Sequence, residues 1–61
     1  TPIKYLNSIR IQRAQEMMRN PKTKLCDIAL ATGFSDPLYF SRVFHNITGA
    51  APRDFRKRLM I

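Results

Sequence analysis

The sequence has few acidic residues, only one cysteine and no long apolar run, and each shortage excludes a class of protein. Four Asp and Glu residues stand against eleven Lys and Arg residues in a chain of 61. A single cysteine, Cys26, excludes an intramolecular disulfide and a zinc module that needs several cysteines. No apolar run approaches the ~20 residues that cross a membrane, and the first residues do not resemble a signal peptide. We therefore expect a small, basic, soluble, intracellular module.

The net charge of +7 predicts a polyanionic partner. Positive charge favours nucleic acid and anionic membrane surfaces without distinguishing between them. The basic residues are spread along the chain, which favours charges on several folded elements over one disordered basic arm. A hydrophobic content of 44% also predicts folding. Because so short a chain buries only a small core, we expect one domain, or part of one, with little room for an enclosed active site.

Proline and glycine residues divide the chain into four segments, and the apolar spacing of each segment predicts a helix. No segment shows the alternation of a strand, so we expect an all-α fold. Capping side chains are predicted at Thr1, Thr23 and Asp36, whereas Ala51 offers no capping oxygen to the last helix. Gly33 is placed to end the second helix in a left-handed conformation. The predicted helices cover about residues 2–19, 24–32, 36–47 and 52–60.

Apolar side chains at helical spacing predict a core between these helices. The first helix carries more apolar surface than one small partner covers, so we interpret it as a connector packed on two sides. Arg10 falls within the apolar arc of that helix and is expected to pair locally or to snorkel, and not to bind DNA. Cys26 is expected to be half-buried. The predicted core consists of Leu25, Ile28, Ala29, Gly33, Phe34, Phe40, Phe44 and Phe55, with further apolar contacts from Met17, Met18, Val43, Ile47, Leu59 and Met60.

The segment 25–44 predicts a helix-turn-helix motif, because a short helix, a tight turn with glycine and a second helix follow one another. Ala29 provides the small side chain that a close crossing of the two helices needs, and Gly33 lets the chain reverse. The second helix has an apolar face with Phe40 and Phe44, and its opposite face is mostly polar. In such motifs the second helix lies in the DNA major groove, whose width of roughly 12 Å admits a helix.

A larger pattern combines this motif with the helix before it: the run DIALATGFSD at 27–36, the run YFSRVF at 39–44, Gly49, Pro52 and Phe55-Arg56, preceded by Tyr5, Leu6, Asn7, Arg10 and Ala14. These residues resemble the AraC/XylS family of bacterial transcription regulators. The resemblance implies a connecting helix over residues 1–20 and a second helix-turn-helix subdomain, a homeodomain-like three-helix bundle, over residues 21–61. It also implies that the first helix-turn-helix and any regulatory domain belong to a missing amino-terminal part of the same chain.

The resemblance and the helix geometry together give candidate DNA contacts. A guanidinium can pair with guanine O6 and N7, so Arg42 is the leading base reader, and Leu38 suits a thymine methyl group. Asp36 is expected to act as a helix cap first and as a reader of cytosine second. The base-contact candidates are Arg42, Leu38, Pro37, Asp36 and His45, and the phosphate-contact candidates are Ser41, Lys24, Lys22, Arg53 and Ser35.

Two other functions stay open on the sequence alone. The apolar excess of the first helix suits a protein-interaction module that docks a partner domain or a polymerase subunit. A cationic peptide at a membrane surface is disfavoured, because Arg10 interrupts the apolar stripe. One histidine, one cysteine and four scattered acids define no catalytic or metal cluster, so we expect no enzyme and no cofactor. The expected partners are double-stranded DNA and RNA polymerase, with no membrane, in the bacterial cytoplasm at the nucleoid.

Overall fold

The computed structural model describes residues 2–59, which form four α-helices and no strand. The helices are α1 (Pro2–Met17), α2 (Leu25–Ala31), α3 (Pro37–Thr48) and α4 (Pro52–Leu59). The predicted all-α fold is confirmed. The cap predicted at Thr1 and the packing predicted for Met60 lie outside the described residues. None of the helices within 2–59 has both the length and the apolar character that crossing a membrane requires.

The helix ends differ from the predicted ones at two places. α1 stops at Met17 because the next amides turn more tightly: the N–H of Arg19 bonds to Glu16 and that of Asn20 to Met17. A proline follows Asn20, and the residue before a proline avoids helical geometry. The prediction that Thr23 caps α2 is wrong. The cap position belongs to Lys24, whose backbone is extended and whose side chain makes no capping bond.

The turn between α2 and α3 has the predicted geometry. Gly33 has a φ of +100°, which glycine adopts without the penalty that a Cβ brings. The N–H of Phe34 donates to the carbonyl of Ala29 at 2.9 Å and closes the end of α2. Asp36 then starts α3, because its Oδ1 accepts the N–H of Leu38 at 3.0 Å. Local hydrogen bonds therefore fix how α3 leaves the turn.

The core lies between α1, α2 and α3, and it is closed at one side by α4. It is built from Ile11, Ala14 and Met18, from Ile28, Ala29 and Phe34, and from Phe40, Val43 and Phe44. Met17, Leu25 and Phe55 are only partly buried and pack against this cluster. The aromatic rings form a row, with centroids 5.2 Å apart for Phe34–Phe40, 5.8 Å for Phe40–Phe44 and 5.3 Å for Phe44–Phe55.

Four residues predicted to be inside are exposed. Ile47 is 45% exposed and Leu59 is 41% exposed, because each lies in the last turns of its helix, where packing against the core ends. Cys26 is exposed because it lies about 100° around α2 from the inward Leu25. Gly33 is exposed on the surface of the turn, where it shapes the backbone and fills no space in the core.

Arg10 is held inside the molecule by an aromatic ring, as its place in the apolar arc of α1 predicts. Its guanidinium carbon lies 5.7 Å from the centroid of Phe34, within the range of a cation–π contact. A Cβ built on Gly33 would come within 3.0 Å of the Arg10 Nε. The turn therefore needs glycine for its φ, and a Cβ there would also require the Arg10 side chain to shift by a few tenths of an ångström.

Arg56 joins α4 to the turn that links α1 and α2. Its Nη2 donates to the carbonyl of Asn20 at 2.8 Å and also to the carbonyl of Thr23. Both bonds span more than thirty residues of sequence. A charged donor shared by two carbonyls contributes more to stability than a neutral hydrogen bond. The interaction explains why the turn keeps its shape although Thr23 does not cap α2.

We predict that Gly33→Ala destabilises the fold more than Gly49→Ala. Both glycines have positive φ, +100° and +82°, so each change costs about 1–2 kcal/mol of unfolding free energy. Only at Gly33 does the new Cβ meet Arg10, and displacing the cation from Phe34 adds about 0.5–1 kcal/mol. Urea unfolding followed by circular dichroism measures both values, and equal losses would contradict the prediction.

We also predict that Arg56→Ala lowers the unfolding free energy by about 1–3 kcal/mol, because two carbonyls lose their charged donor. The matched control is Arg58→Ala, an exposed arginine of the same helix, with an expected change within about 0.5 kcal/mol. The same unfolding measurement compares the two variants. A loss no larger for Arg56 than for Arg58 would show that the interaction does not stabilise the turn.

Candidate nucleic-acid interface

α3 is fixed at both ends and along one face, which leaves its opposite face free. Pro37 occupies its first turn after the Asp36 cap, and Gly49 ends it with a φ of +82° and an N–H bonded to His45 at 2.8 Å. The inner face is anchored by the buried Phe40 and Phe44. The outer face is therefore presented by a rigid helix and not by a mobile loop.

Three of the predicted base-contact residues come together on this outer face. Leu38, Arg42 and His45 lie within an arc of about 60° around the helix axis, and all three are exposed, Leu38 by 74%. Pro37 lies to one side, in a shallow cleft near the starts of α2 and α4. One carboxylate oxygen of Asp36 accepts the capping N–H bond. The other has no hydrogen bond among the described residues.

The cleft beside Pro37 brings the starts of three helices together. It is lined by Leu25 and Cys26 from α2, Pro37, Phe40 and Ser41 from α3, and Ala51, Pro52 and Arg53 near the start of α4. Ser41, a phosphate-contact candidate, is half-buried there because the start of α4 packs beside it. Arg53 is exposed at the same edge, and the exposed Lys24 immediately precedes Leu25. Backbone N–H groups at helix starts add to the attraction of an anion.

The other two phosphate candidates lie in the turns. Lys22 is exposed, and its backbone N–H donates to the Oδ1 of Asn20 at 3.0 Å. Ser35 is exposed immediately before the Asp36 cap. Of the five phosphate candidates, Ser41 and Arg53 line the cleft beside Pro37, and the others precede the starts of α2 and α3. The arrangement suits the oxygen atoms of a phosphate backbone.

The structure adds to the candidate interface two α3 residues that the sequence analysis did not identify as contacts. Tyr39 and Asn46 are both exposed, and both line a groove between α3 and the first turns of α1 that also includes Arg42. The sequence could have identified both residues by their position on the polar side of the helix, close to Arg42. Arg42 also lines a second hollow, with His45 and Asn46, so it stands at the centre of the exposed face.

Not every cation of the chain is available to a ligand. The Arg56 guanidinium is bonded to two backbone carbonyls, and that of Arg10 lies over Phe34. These two arginines stabilise the fold, although the sequence places Arg56 in a basic group at 53–58. Within residues 2–59, no three His, Cys, Asp or Glu side chains come together in a way that would hold a metal ion.

Comparison with known proteins assigns the family. A family model described as a helix-turn-helix domain matches residues 1–58. The Msm operon regulatory protein of Streptococcus mutans is 40% identical over 55 residues, which cover 90% of this chain and 20% of that protein. The HTH-type transcriptional activator RhaS of Shigella boydii is 40% identical over 57 residues, which cover 93% of this chain and 20% of RhaS. RhaS of Escherichia coli is 39% identical over the same length and coverage.

The chain spans about a fifth of the length of the curated relatives that it matches. No solved structure matches it. The matched family model extends over nearly all of the chain, and the four described helices are consistent with a helix-turn-helix bundle. The chain belongs to the AraC-type family of helix-turn-helix domains.

Proposed function

We propose that this chain is the DNA-binding part of a bacterial transcription regulator and that α3 is its recognition helix. The observation that carries the proposal is the exposed group Leu38, Arg42 and His45 on a helix whose other face is anchored in the core. Relatives that share about two-fifths of its residues are named as regulators of transcription, which supports the same role. A helix of this width fits the major groove of B-DNA.

Side chains of different chemistry on the exposed face contact different bases. Arg42 donates two N–H groups to guanine O6 and N7, and Leu38 contacts a thymine methyl group. His45 lies one helical turn after Ser41, the residue next to Arg42. It contacts the next base or the phosphate of that base. Asp36 keeps one carboxylate oxygen for the amino group of cytosine while the other caps the helix. Pro37 contributes an apolar contact at the leading end of α3.

The donors around the first turn of α3 fix its position without specifying sequence. Ser41 and Arg53 bind one phosphate at the edge shared by α3 and α4, where both residues line the same cleft. Lys24 binds at the start of α2, with Lys22 and Ser35 in the adjoining turns. Since a single motif makes few contacts, we expect this chain alone to bind DNA weakly.

The regulator acts in the bacterial cytoplasm, at the nucleoid, with double-stranded DNA as its first partner. RNA polymerase is a second partner in the proposal, because two of the relatives are named transcriptional activators. The names of these relatives describe whole proteins about five times as long as this chain. The regulated genes therefore do not follow from the match.

A second candidate function is a protein-docking module on the same scaffold. The observation that favours it is an apolar surface on the first turns of α1, where Ile3 is 65% exposed and Tyr5 is 70% exposed. Leu6 continues this surface. Association with a protein and no measurable binding to any duplex would favour docking over DNA recognition. Docking is compatible with DNA binding, because these apolar side chains are not among the candidate DNA contacts.

We predict that DNA binding weakens steeply with salt. Each neutralised phosphate contributes a slope of about −0.9 in log K against log salt, so three to five contacts give about −3 to −5. Fluorescence anisotropy of a labelled duplex between low and moderate salt measures the slope. Binding that does not respond to salt would overturn the proposal.

We predict that Arg42→Ala removes the preference for one guanine and leaves the salt slope nearly unchanged. The lost discrimination corresponds to about 1–3 kcal/mol, or roughly 5-fold to 150-fold, at that base pair. Duplexes enriched from a random pool by the wild-type protein are measured with both proteins. The matched control is Arg19→Ala, an exposed arginine in the cleft between α1 and α4, which should keep the preference. A variant that still selects the same guanine would refute the role of Arg42.

A further inference from the structure

We propose that the first turns of α1 bind a phosphate of the DNA strand on the side of α3 opposite to Ser41 and Arg53. The site consists of Lys4 and Asn7 from α1 and Asn46 from α3. This inference rests on the proposed function, since it requires α3 to lie in the major groove. It makes α1 a direct part of the DNA interface as well as a support for the core.

The site is a groove between α1 and α3. It is separate from the cleft that contains Arg53. It is lined by Lys4, Asn7 and Ser8 from α1 and by Tyr39, Arg42, Val43, Asn46 and Ile47 from α3. None of these residues is acidic, and the first turn of α1 has no acidic residue either. The positive charge of Lys4 is therefore not offset within the groove, which favours an anionic ligand.

The polar rim of the groove is partly ordered before any ligand binds. The Asn7 Nδ2 donates to the Tyr39 hydroxyl at 3.3 Å, which joins the two walls. An amide nitrogen has two hydrogens, so Asn7 keeps one for a second acceptor. Lys4 and Asn46 are exposed and line the same groove as this bond. Three donors from two helices thus face one opening, as the oxygens of a phosphodiester require.

The position of the groove follows from the shape of DNA. A helix with its side chains is about 10–12 Å wide, and the major groove is about 12 Å wide, so a phosphate backbone passes on each side of an inserted helix. Ser41 and Asn46 lie about 140° apart around the axis of α3, with Arg42 between them. The anchors near Ser41 meet one strand. The groove near Asn46 faces the other.

The apolar part of the groove suits the sugar that accompanies each phosphate. Val43 is buried beneath it, and Tyr39 and Ile47 are partly exposed along it. A deoxyribose ring presents an apolar face next to its phosphate, so one nucleotide fits both the rim and the floor.

The test compares Lys4→Gln with Arg13→Gln, which removes one exposed charge from the opposite, α2 side of α1. Lys4→Gln should raise Kd about 3-fold to 10-fold on every duplex and reduce the salt slope by about 0.9, the value for one lost phosphate contact. Arg13→Gln should change neither quantity beyond the small effect of net charge. Circular dichroism confirms that both variants fold, since both side chains are exposed.

Two further variants sharpen the result. Lys4→Arg keeps the cation and should retain wild-type affinity, whereas Asn46→Ala should weaken binding on all duplexes without changing which sequence is preferred. If Lys4→Gln binds like Arg13→Gln, the inference is wrong although the proposed function stands. If the wild-type protein shows no salt-dependent DNA binding, the proposed function itself fails and this site fails with it.

Discussion

The row of four phenylalanines is the interaction on which the rest of the structure depends. Phe34 comes from the turn after α2, Phe40 and Phe44 from α3 and Phe55 from α4, and successive rings lie 5.2–5.8 Å apart. Tilted and edge-on ring pairs of this kind add directional attraction to burial. Because two of the rings belong to α3, the row sets both the depth and the rotation of the helix. Its polar face points outward as a consequence.

Positive charge serves two purposes in so small a molecule. A core of this size contributes only limited stability. Arg10 and Arg56 add to that stability by bridging elements that are distant in sequence. Arg10 places its cation over Phe34, and Arg56 holds two carbonyls of the α1–α2 turn. The remaining exposed cations are the ones that the proposed function assigns to DNA. The net charge of +7 therefore overstates the number of side chains available for phosphate.

Local signals predicted the helices and the turn well, since they depend on residues close in sequence. The Asp36 cap requires only an N–H two residues away, and Gly33 requires only its own φ. The candidate base readers Leu38, Arg42 and His45 were equally accessible, because helical spacing places them on one side. The predicted Thr23 cap was wrong, because Lys24 holds the cap position and α2 begins without a side-chain cap. Local signals also missed Arg56, which binds the carbonyl of Thr23 from thirty-three residues away.

The sequence by itself determined the all-α class, the helix-turn-helix order and the polar face of α3, since spacing, proline and glycine act over a few residues. Tertiary structure alone decided which apolar positions are covered. Periodicity gives the direction of a side chain but not the presence of a neighbour, so Ile47 and Leu59 are exposed at positions that the pattern assigned to the core. Tertiary structure also decided that Asn7 contacts Tyr39, because only the packing of α1 on α3 brings together residues that are thirty-two apart in sequence.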